Sequence, residues 1–468
     1  AAASASEAPA STTTSSDPYL WLEEVEGARA LEWVNEQNER SLEHLTEDPR
    51  YQRFYDAALK LAESKDRLPF ASPQGEYMYN FWQDDVHIRG LWRRASLTSY
   101  VAGAPKWETL LDVDALARRE NKNWVFKTAK CLAPTYQRCM LRLSDGGKDA
   151  AVFREFDTTA RSFVEGGFEV PEAKSDIEWD DRDTLLIATD WGAGTLTESG
   201  YPYIVKEWKR GQPLANAREV FRGEPHHIAA SGGVLRGKDG AGLRVFSKAP
   251  TYFTTETFTA GKQGELERIT LPTRNSVIGL YEGELIFTIE EDWPLNGRTW
   301  KSGSLLSMPV SDATRPKPAV RLIFEPGARD AIQNVSVTRT GVVVAMSTNV
   351  RGRLMHATFK GNAWRTADVD LPKDGHIVIE GTDPDVATAF VSYEGFLQPT
   401  TIYAVDFKSK PKPIMQLPAK FDGSKLLVEQ FEATSRDGTR VPYFIVRPKQ
   451  LAFDGSAPTL VTAYGGFQ

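Results

Sequence analysis

Residues 335–347, VSVTRTGVVVAMS, carry the pattern that decides the fold. An alternating strand leads through a polar turn into a strongly apolar strand, which predicts an antiparallel hairpin with a buried second strand. The same pattern recurs in residues 70–82, FASPQGEYMYNFW, and in residues 177–189, IEWDDRDTLLIAT. This degenerate recurrence at distant points of the chain indicates a fold built from similar, repeated units.

The number of units follows from the length of the strand-rich region, residues 67–425. Short strands with turn signals every ~8–12 residues are typical of a sandwich, a barrel or a propeller. A single sandwich or barrel rarely exceeds about 250 residues, whereas a propeller uses about 40–50 residues for each four-stranded blade. The roughly 355 residues of this region therefore predict a mainly β fold with a propeller of about seven blades. The sequence lacks the regular Gly-His and Trp-Asp pairs of WD40 repeats, so it does not match that repeat family.

The segments before the propeller have a different character. Residues 17–66 show apolar residues at roughly helical spacing, such as Leu31, Val34 and Leu45, which predicts an amphipathic helix. A second helical pattern, YQRFYDAALKLAES, follows Asp48 and Pro49. Residues 1–16 are small and polar, which predicts a disordered leader. Their alanines would suit a mature end left after signal-peptide removal, so we favour a periplasmic or secreted protein over a cytoplasmic one.

Composition excludes several function classes. The 468 residues are 41% hydrophobic and 25% charged, with a formal net charge of −7. Acidic and basic residues are interspersed, which argues against a nucleic-acid-binding surface. No apolar run approaches the roughly 18 residues that span a bilayer, so we expect no membrane span.

The cysteines and histidines give no indication of a metal or a cofactor. Cys131 and Cys139 lie eight residues apart. They could form a disulfide between adjacent strands or remain two buried thiols. His226 and His227 are adjacent, and adjacent residues on a strand point to opposite faces. We therefore expect no metal site and no cofactor.

The last segment, residues 426–468, begins a different type of structure. Asp437 and Gly438 lie between two strand patterns, which predicts a hairpin. Residues 457–467, APTLVTAYGGF, then predict a fully apolar strand that ends in a turn. Such a strand is typical of an α/β layer, where central strands are buried on both faces. We expect it to need further strands to pack against.

Four stretches of this sequence resemble the prolyl oligopeptidase family of serine peptidases. They are DPYLWLEEVEG (17–27), SYEGFLQPTTIYAVD (392–406), FEATSRDGTRVPYFIVRPK (431–449) and APTLVTAYGGF (457–467). The resemblance implies a seven-bladed propeller inserted in an α/β-hydrolase domain. Residues 17–66 and 426–468 would be the only parts of that domain in this chain. It also implies a serine endopeptidase that cleaves short peptides after proline, acts as a monomer when complete, and limits access by size through its propeller.

The catalytic triad of such a peptidase is not found here. The sequence contains no G-x-S-x-G elbow. The nearest match, AASGG at 229–233, lacks the first glycine, and we interpret Ser231 as a turn serine. In the family the serine, aspartate and histidine follow the turn at which this sequence stops. We therefore expect this chain to be inactive without the missing carboxy-terminal part of the peptidase domain.

Tyr464 is the one candidate catalytic residue. The resemblance implies that its phenol is an oxyanion-hole donor, with Gly465 and Gly466 forming the turn beside it. A phenol is neutral at pH 7, since its pKa is about 10, and can donate a hydrogen bond to a developing oxyanion. Ala463 stands where the family often has glycine. Two alternatives stay open: a non-catalytic propeller that binds a partner, and a family member that cleaves after basic residues or at isopeptide bonds.

Overall fold

The computed structural model describes residues 17–24, 26–240, 242–261 and 264–464. The predicted leader, residues 1–16, lies outside this part, as do Gly465 and Gly466. The chain divides into two compact units, residues 1–67 and 68–468. Among the described residues, no helix combines the length and the apolar character needed to cross a membrane.

The first unit consists of a short 3-10 helix and two α-helices. Its elements are the 3-10 helix Leu20–Glu23, α1 (Ala28–Thr46) and α2 (Tyr51–Ala62). Both α-helices form where the apolar spacing predicts them. Leu45 is 57% exposed and Phe54 58% exposed, so the apolar faces of the two helices are largely open to solvent.

The described residues of the second unit form seven antiparallel sheets of four or five strands, as expected for a propeller, and two further two-stranded hairpins. Blade 1 contains β1 (Ser72–Gln74), β2 (Tyr77–Trp82), β3 (Leu91–Ser96) and β4 (Glu108–Asp112), with α3 (Leu97–Val101) between its last two strands and α4 (Val113–Glu120) after β4. Blade 2 contains β5 (Trp124–Cys131), β6 (Arg138–Asp145), β7 (Ala151–Asp157), β8 (Ser162–Phe163) and β9 (Glu169–Ala173). Blade 3 contains β10 (Asp176–Asp181), β11 (Thr184–Ala188), β12 (Ile204–Lys209) and β13 (Arg218–Arg222).

The remaining four blades follow in chain order. Blade 4 contains β14 (Ala229–Arg236), β15 (Gly242–Thr251), β16 (Thr254–Ala260) and β17 (Leu266–Arg268). Blade 5 contains β18 (Asn275–Tyr281), β19 (Glu284–Ile289), β22 (Leu305–Pro309) and β23 (Arg321–Phe324), with a hairpin of β20 (Trp293–Leu295) and β21 (Arg298–Trp300) inserted. Blade 6 contains β24 (Asp330–Thr338), β25 (Gly341–Thr348), β26 (Arg351–Lys360) and β27 (Ala363–Val369). Blade 7 contains β28 (Gly375–Gly381), β29 (Ala389–Gly395), β30 (Thr401–Val405) and β31 (Lys412–Gln416).

The repeated sequence pattern corresponds to the first two strands of a blade. In blade 6 the alternating strand is β24 and the apolar strand is β25, which pair from Thr338 opposite Gly341. Val342 and Val344 pack towards blade 5, whereas Val343 and Ala345 pack towards blade 7. Successive side chains of a strand point to opposite faces, so a strand between two blades must be apolar at every position.

The first strand of each blade lies nearest the propeller axis. These inner strands contact one another in the order β5, β10, β14, β18, β24, β28 and β1. They surround a central channel. Side-chain packing joins blade 1 to blade 7, through a cluster that includes Met78, Tyr100, Phe390 and Ala404.

The hairpin predicted after the propeller is present, but the apolar strand after it is not. Strands β32 (Leu426–Thr434) and β33 (Arg440–Pro448) pair along their whole length, and Gly438 adopts a φ of +86° in the turn. Residues 457–464 form no strand, and Leu460 is 90% exposed. The expectation of a strand is therefore wrong for the described residues. A strand needs a hydrogen-bonded neighbour, and an apolar run cannot supply one by itself.

Candidate functional site

The two ends of the central channel differ in the turns that surround them. We call the end with the turns between second and third strands the mouth, and the end with the turns between first and second strands the base. The hairpin β32–β33 lies at the mouth. The side-chain amide of Gln430 donates a hydrogen bond to the backbone carbonyl of Asn349, at 2.6 Å. Arg329 binds the side chain of Asn349 at 2.9 Å and also pairs with Glu432.

A cavity of about 610 Å³ lies between the hairpin and the mouth ends of blades 6 and 7. Phe396 of the propeller and Phe444 of the hairpin line it, with 5.3 Å between their ring centroids. Asp374 and Glu394 supply carboxylates, which are engaged by Arg351 at 3.0 Å and by Thr400 at 2.5 Å respectively. The cavity thus combines two aromatic rings with two carboxylates that Arg351 and Thr400 engage.

A second cavity, of about 780 Å³, lies at the mouth between blades 5 and 6. Asp292 and Lys301 line it and pair at 2.8 Å. The hydrogen bond from Lys301, together with the backbone amide of Ser302, holds the pKa of Asp292 below its usual value. Both of these cavities lie at the mouth, on the side of the propeller where the hairpin lies.

Tyr464 follows the hairpin and is 86% exposed. Its phenol faces solvent, and Gly465 and Gly466 lie outside the described residues. Its role as an oxyanion-hole donor therefore stays a prediction. The exposure of Tyr464 and Leu460 agrees with the absence of a strand there.

Ser231 lies in a strand, and its interpretation as a turn serine is wrong. It is part of β14, the inner strand of blade 4, and its Oγ lies 2.8 Å from Oγ of Ser247 on β15. The glycines of AASGG suggest a turn, but Gly232 leaves room for Val205 of blade 3: a Cβ there would lie 2.8 Å from the valine side chain. Close packing of blades, rather than a turn, explains the glycine.

His226 and His227 also differ from the expectation. They lie in the turn before β14 and not in a strand, so their rings are not on opposite faces and their centroids are 4.7 Å apart. Nδ1 of His227 accepts a hydrogen bond from the backbone amide of Glu224 at 3.1 Å. Burial, followed by the neighbouring charges of His226 and Lys248, lowers the pKa of His227. Within the described ranges, no group of three or more His, Cys, Asp and Glu is arranged to hold a metal ion.

Cys131 and Cys139 form a disulfide, one of the two possibilities that the sequence left open. They stand opposite each other on β5 and β6, with 3.9 Å between their Cα atoms. The bond closes the loop 132–138 at the base of blade 2.

The cavity residues Phe396 and Phe444 were not predicted from the sequence. A signal for both was present, because they lie in the stretches 392–406 and 431–449 that carry the family resemblance. It could not show that the two rings meet, since 48 residues separate them.

The fold defines the chain as a seven-bladed β-propeller with an added hairpin at its mouth. Residues 4–418 match the family described as "Prolyl oligopeptidase, N-terminal beta-propeller domain". The chain therefore belongs to the prolyl oligopeptidase family, as the four resembling stretches imply.

Relatives match nearly the whole chain. A protein of Sinorhizobium fredii named "Uncharacterized peptidase y4nA" is 37% identical over 464 residues, covering 97% of this chain and 64% of the relative. A prolyl endopeptidase of Elizabethkingia miricola is 22% identical, covering 97% of this chain and 62% of the relative. The chain thus spans less than two thirds of the length of these curated relatives.

Solved structures show the same fold. A post-proline cleaving enzyme from Rickettsia typhi superimposes with a TM-score of 0.84 at 28% identity, covering 96% of this chain and 67% of that enzyme. Oligopeptidase B from Leishmania major superimposes with a TM-score of 0.69 at 15% identity, covering 94% of this chain and 61% of that enzyme, and this likeness concerns the fold alone.

Proposed function

We propose that this chain is the amino-terminal and propeller part of a serine peptidase that hydrolyses short peptides after proline. The observation that carries the proposal is the family match over residues 4–418, together with relatives named as peptidases. The relatives named for proline cleavage support the specificity. The cavity between Phe396 and Phe444 supports a peptide site on the hairpin side of the propeller.

The nucleophilic serine, its histidine and its aspartate would come from the rest of an α/β-hydrolase domain. The absence of G-x-S-x-G from this sequence supports that assignment. Tyr464 would donate one of the hydrogen bonds that stabilise the oxyanion, and a backbone N–H beside the nucleophile would donate the other. This chain alone would then bind peptides without cleaving them.

The location we propose is the periplasm or the outside of the cell. The disulfide between Cys131 and Cys139 supports it, because disulfides persist mainly in oxidising compartments. Intact mass of the protein recovered from periplasmic and cytoplasmic fractions, with and without thiol alkylation, tests the location and the bond together.

Labelling with a fluorophosphonate tests the peptidase proposal. We expect no labelling of the 468-residue chain and labelling of the longer polypeptide that carries the remaining domain. Fluorogenic peptides with proline or arginine before the scissile bond then separate post-proline cleavage from cleavage after basic residues. Failure of the longer polypeptide to label would overturn the peptidase proposal and favour a propeller that only binds a partner.

Tyr464→Phe in the longer polypeptide tests the oxyanion role. Loss of one donor typically costs about 2.7–4 kcal/mol of transition-state stabilisation, or about 10²–10³-fold in kcat. Tyr443→Phe, in the hairpin and 43% exposed, is the matched control and should leave kcat unchanged. An unchanged kcat for Tyr464→Phe would remove this residue from the oxyanion hole.

A further inference from the structure

The disulfide-closed loop 132–138 of blade 2 reaches two blades that are not neighbours of blade 2. The Tyr136 hydroxyl donates a hydrogen bond to Oδ2 of Asp383 in blade 7, at 2.5 Å. Pro134 lies beside Gly240 of blade 4, where an added Cβ would be 3.9 Å from Cδ of the proline. Blades 1 and 3 flank blade 2, so blades 7 and 4 are its second neighbours in opposite directions around the ring. A single loop can touch both only if it lies across the axis of the channel.

The position of Tyr136 agrees with this placement. Its ring covers Gly75 in blade 1, where an added Cβ would lie 3.4 Å from Cδ2 of the tyrosine. Its hydroxyl lies near Asp383 and Asp385. Burial and then the interactions with these two residues raise the pKa of Tyr136, whereas Arg236 of blade 4 lies close enough for its charge to lower that pKa. Tyr136 is 8% exposed and Asp383 is 4% exposed, so the contact is closed to solvent.

The loop is held in one conformation from several directions. The disulfide joins its two ends, and the amide of Tyr136 donates to the carbonyl of Leu132 at 2.8 Å. The hydroxyl of Thr158 donates to the carbonyl of Tyr136 at 3.1 Å. Tyr136 has a φ of +51°, a left-handed conformation that is uncommon outside glycine. An aromatic residue held in this conformation indicates that the surrounding contacts fix the loop.

The blade 7 side of the contact is equally fixed. Oδ1 of Asp383 accepts a hydrogen bond from the amide of Asp385 at 2.7 Å. Further along the same turn, the carbonyl of Val386 accepts from the amide of Arg339 in blade 6, at 3.0 Å. Burial raises the pKa of Asp383, and burial followed by the bond to Asp383 raises that of Tyr136. The base of the channel is therefore a set of turns from blades 2, 4, 6 and 7 joined around Tyr136 and Asp383.

We propose that loop 132–138 plugs the base of the central channel, so that peptides reach the site only through the mouth beside the hairpin. For its substrate this inference rests on the proposed function. It also explains how the propeller would select peptides by size. A channel that is closed at its base excludes a long peptide that would have to pass through it. Tyr136 is a positioning residue in this scheme, because it holds the plug and does not touch substrate.

Hydrogen exchange on the 468-residue chain tests the plug without any catalysis. In Tyr136→Ala we expect amides of 132–138 and 381–389 to exchange at least 10-fold faster, while those of β25 keep their protection. Tyr136→Phe keeps the ring and replaces the alanine variant if that variant fails to fold. Because it removes only the hydroxyl, it should accelerate exchange in the Asp383 turn, residues 381–389, and not in the loop 132–138. Tyr203→Phe is a matched control, since it removes another buried hydroxyl contact, that with the carbonyl of Gly194 at 2.6 Å. Unchanged exchange at 132–138 and 381–389 in the Tyr136 variants would overturn the plug.

Peptide length tests the consequence in the longer polypeptide. Fluorogenic substrates of about 5, 15 and 35 residues should be cleaved by the unmodified enzyme with steeply falling kcat/KM. We expect Tyr136→Ala, combined with serine at both cysteine positions, to raise kcat/KM for the longest peptide at least fivefold and to leave the shortest unchanged. Suppose the variant shows fast hydrogen exchange at the base but kcat/KM still falls with peptide length as in the unmodified enzyme. The plug would then not control which peptides reach the site. If no form cleaves any peptide, the proposed function fails, while the exchange result still decides the plug.

Discussion

Tyr100 packs edge-to-face against Phe390, with 5.3 Å between the ring centroids and 79° between the ring planes. Tyr100 lies in α3 of blade 1 and Phe390 in β29 of blade 7, and both are almost fully buried. The Tyr100 hydroxyl also donates to the carbonyl of Pro69 at 2.9 Å. No described sheet contains strands of both the first blade and the last. These side chains supply the closure of the ring.

Phe390→Ala should therefore weaken the closure more than it weakens any single blade. Removing a buried phenylalanine costs about 3–5 kcal/mol of unfolding free energy, measured by urea denaturation. Phe246→Ala is the matched control, because Phe246 is buried and stacks on Phe221 at 5.4 Å within the ring, between blades 4 and 3. We expect similar free-energy losses but different hydrogen exchange: faster in blades 1 and 7 for Phe390→Ala, and in blades 3 and 4 for the control. Identical exchange patterns would contradict a closure at Tyr100 and Phe390.

Gly103→Ala tests the same junction through the backbone. Gly103 has a φ of +77°, and an added Cβ would lie 2.6 Å from the carbonyl oxygen of Ile414 in blade 7. Gly211 has a φ of +75° with nothing within 4 Å of its added Cβ, so Gly211→Ala carries the backbone strain alone. We expect about 1–2 kcal/mol for the control and at least 1 kcal/mol more for Gly103→Ala, from thermal and urea unfolding. Equal losses of unfolding free energy in the two variants would show that the blade 1–blade 7 junction accommodates the added methyl group without destabilisation.

Local patterns predicted most of the fold, and contacts between distant parts of the chain were the features they missed. The apolar strand β25 could be read from the sequence because it packs on both faces with alternate residues. The hairpin could be read from Asp437 and Gly438, which lie together in the turn. By contrast, 247 residues separate Tyr136 from Asp383, and no local pattern indicates their contact.

The errors have the same physical origin. Ser231 is followed by glycines that allow a neighbouring blade to pack closely. From the sequence alone, such glycines cannot be distinguished from the glycines of a turn. The apolar run at 459–464 has the composition of a buried strand, but pairing depends on a partner and not on composition. The role of Tyr464 is a similar case, because an oxyanion hole is defined by the nucleophile that it faces.

His356 should make the propeller less stable as the pH falls from about 6.5 to 4. Burial lowers the pKa of His356 to about 4, and its ring stacks on Phe407 at 3.9 Å. As the pH falls, His356 is therefore protonated in the unfolded chain before it is protonated in the folded chain. The stability that the neutral histidine contributes above pH 6.5 is lost between pH 6.5 and 4, and no more is lost below pH 4. One pKa unit corresponds to about 1.4 kcal/mol, and discounting for partial exposure leaves a loss of about 2 kcal/mol.

The measurement is the urea midpoint at several pH values between 4 and 7.5. His356→Phe keeps an aromatic ring against Phe407 and has no proton to bind, so its stability should vary less over this range by about 2 kcal/mol. If the variant and the parent lose stability in parallel, another group is responsible for the acid sensitivity.

A buried ion pair joins blade 2 to blade 3, and its removal should be far more costly than that of a surface pair. The side chain of Glu155 is fully buried and accepts hydrogen bonds from Nη1 and Nη2 of Arg210 at 2.8 and 3.0 Å. It also accepts from the amide of Phe168 at 2.9 Å. Arg210→Met would leave the buried carboxylate with the amide of Phe168 and with Nη1 of Arg138 at 3.7 Å, so we expect a cost of about 3 kcal/mol in unfolding free energy, at the lower end of the range for a broken buried pair.

Arg222→Met is the matched control, since Arg222 pairs with Glu219 at 2.7 Å on the surface and should lose about 0–1 kcal/mol. Sodium chloride at 1 M should screen the Arg222 pair and leave the Arg210 pair nearly unchanged, because exposed charges are screened far more than buried ones. The double variant Arg210→Met with Glu155→Gln should recover part of the loss, since the glutamine is neutral and still accepts from Phe168. A loss for Arg210→Met no larger than for Arg222→Met would mean that water reaches Glu155 and that the two blades are not locked by this pair.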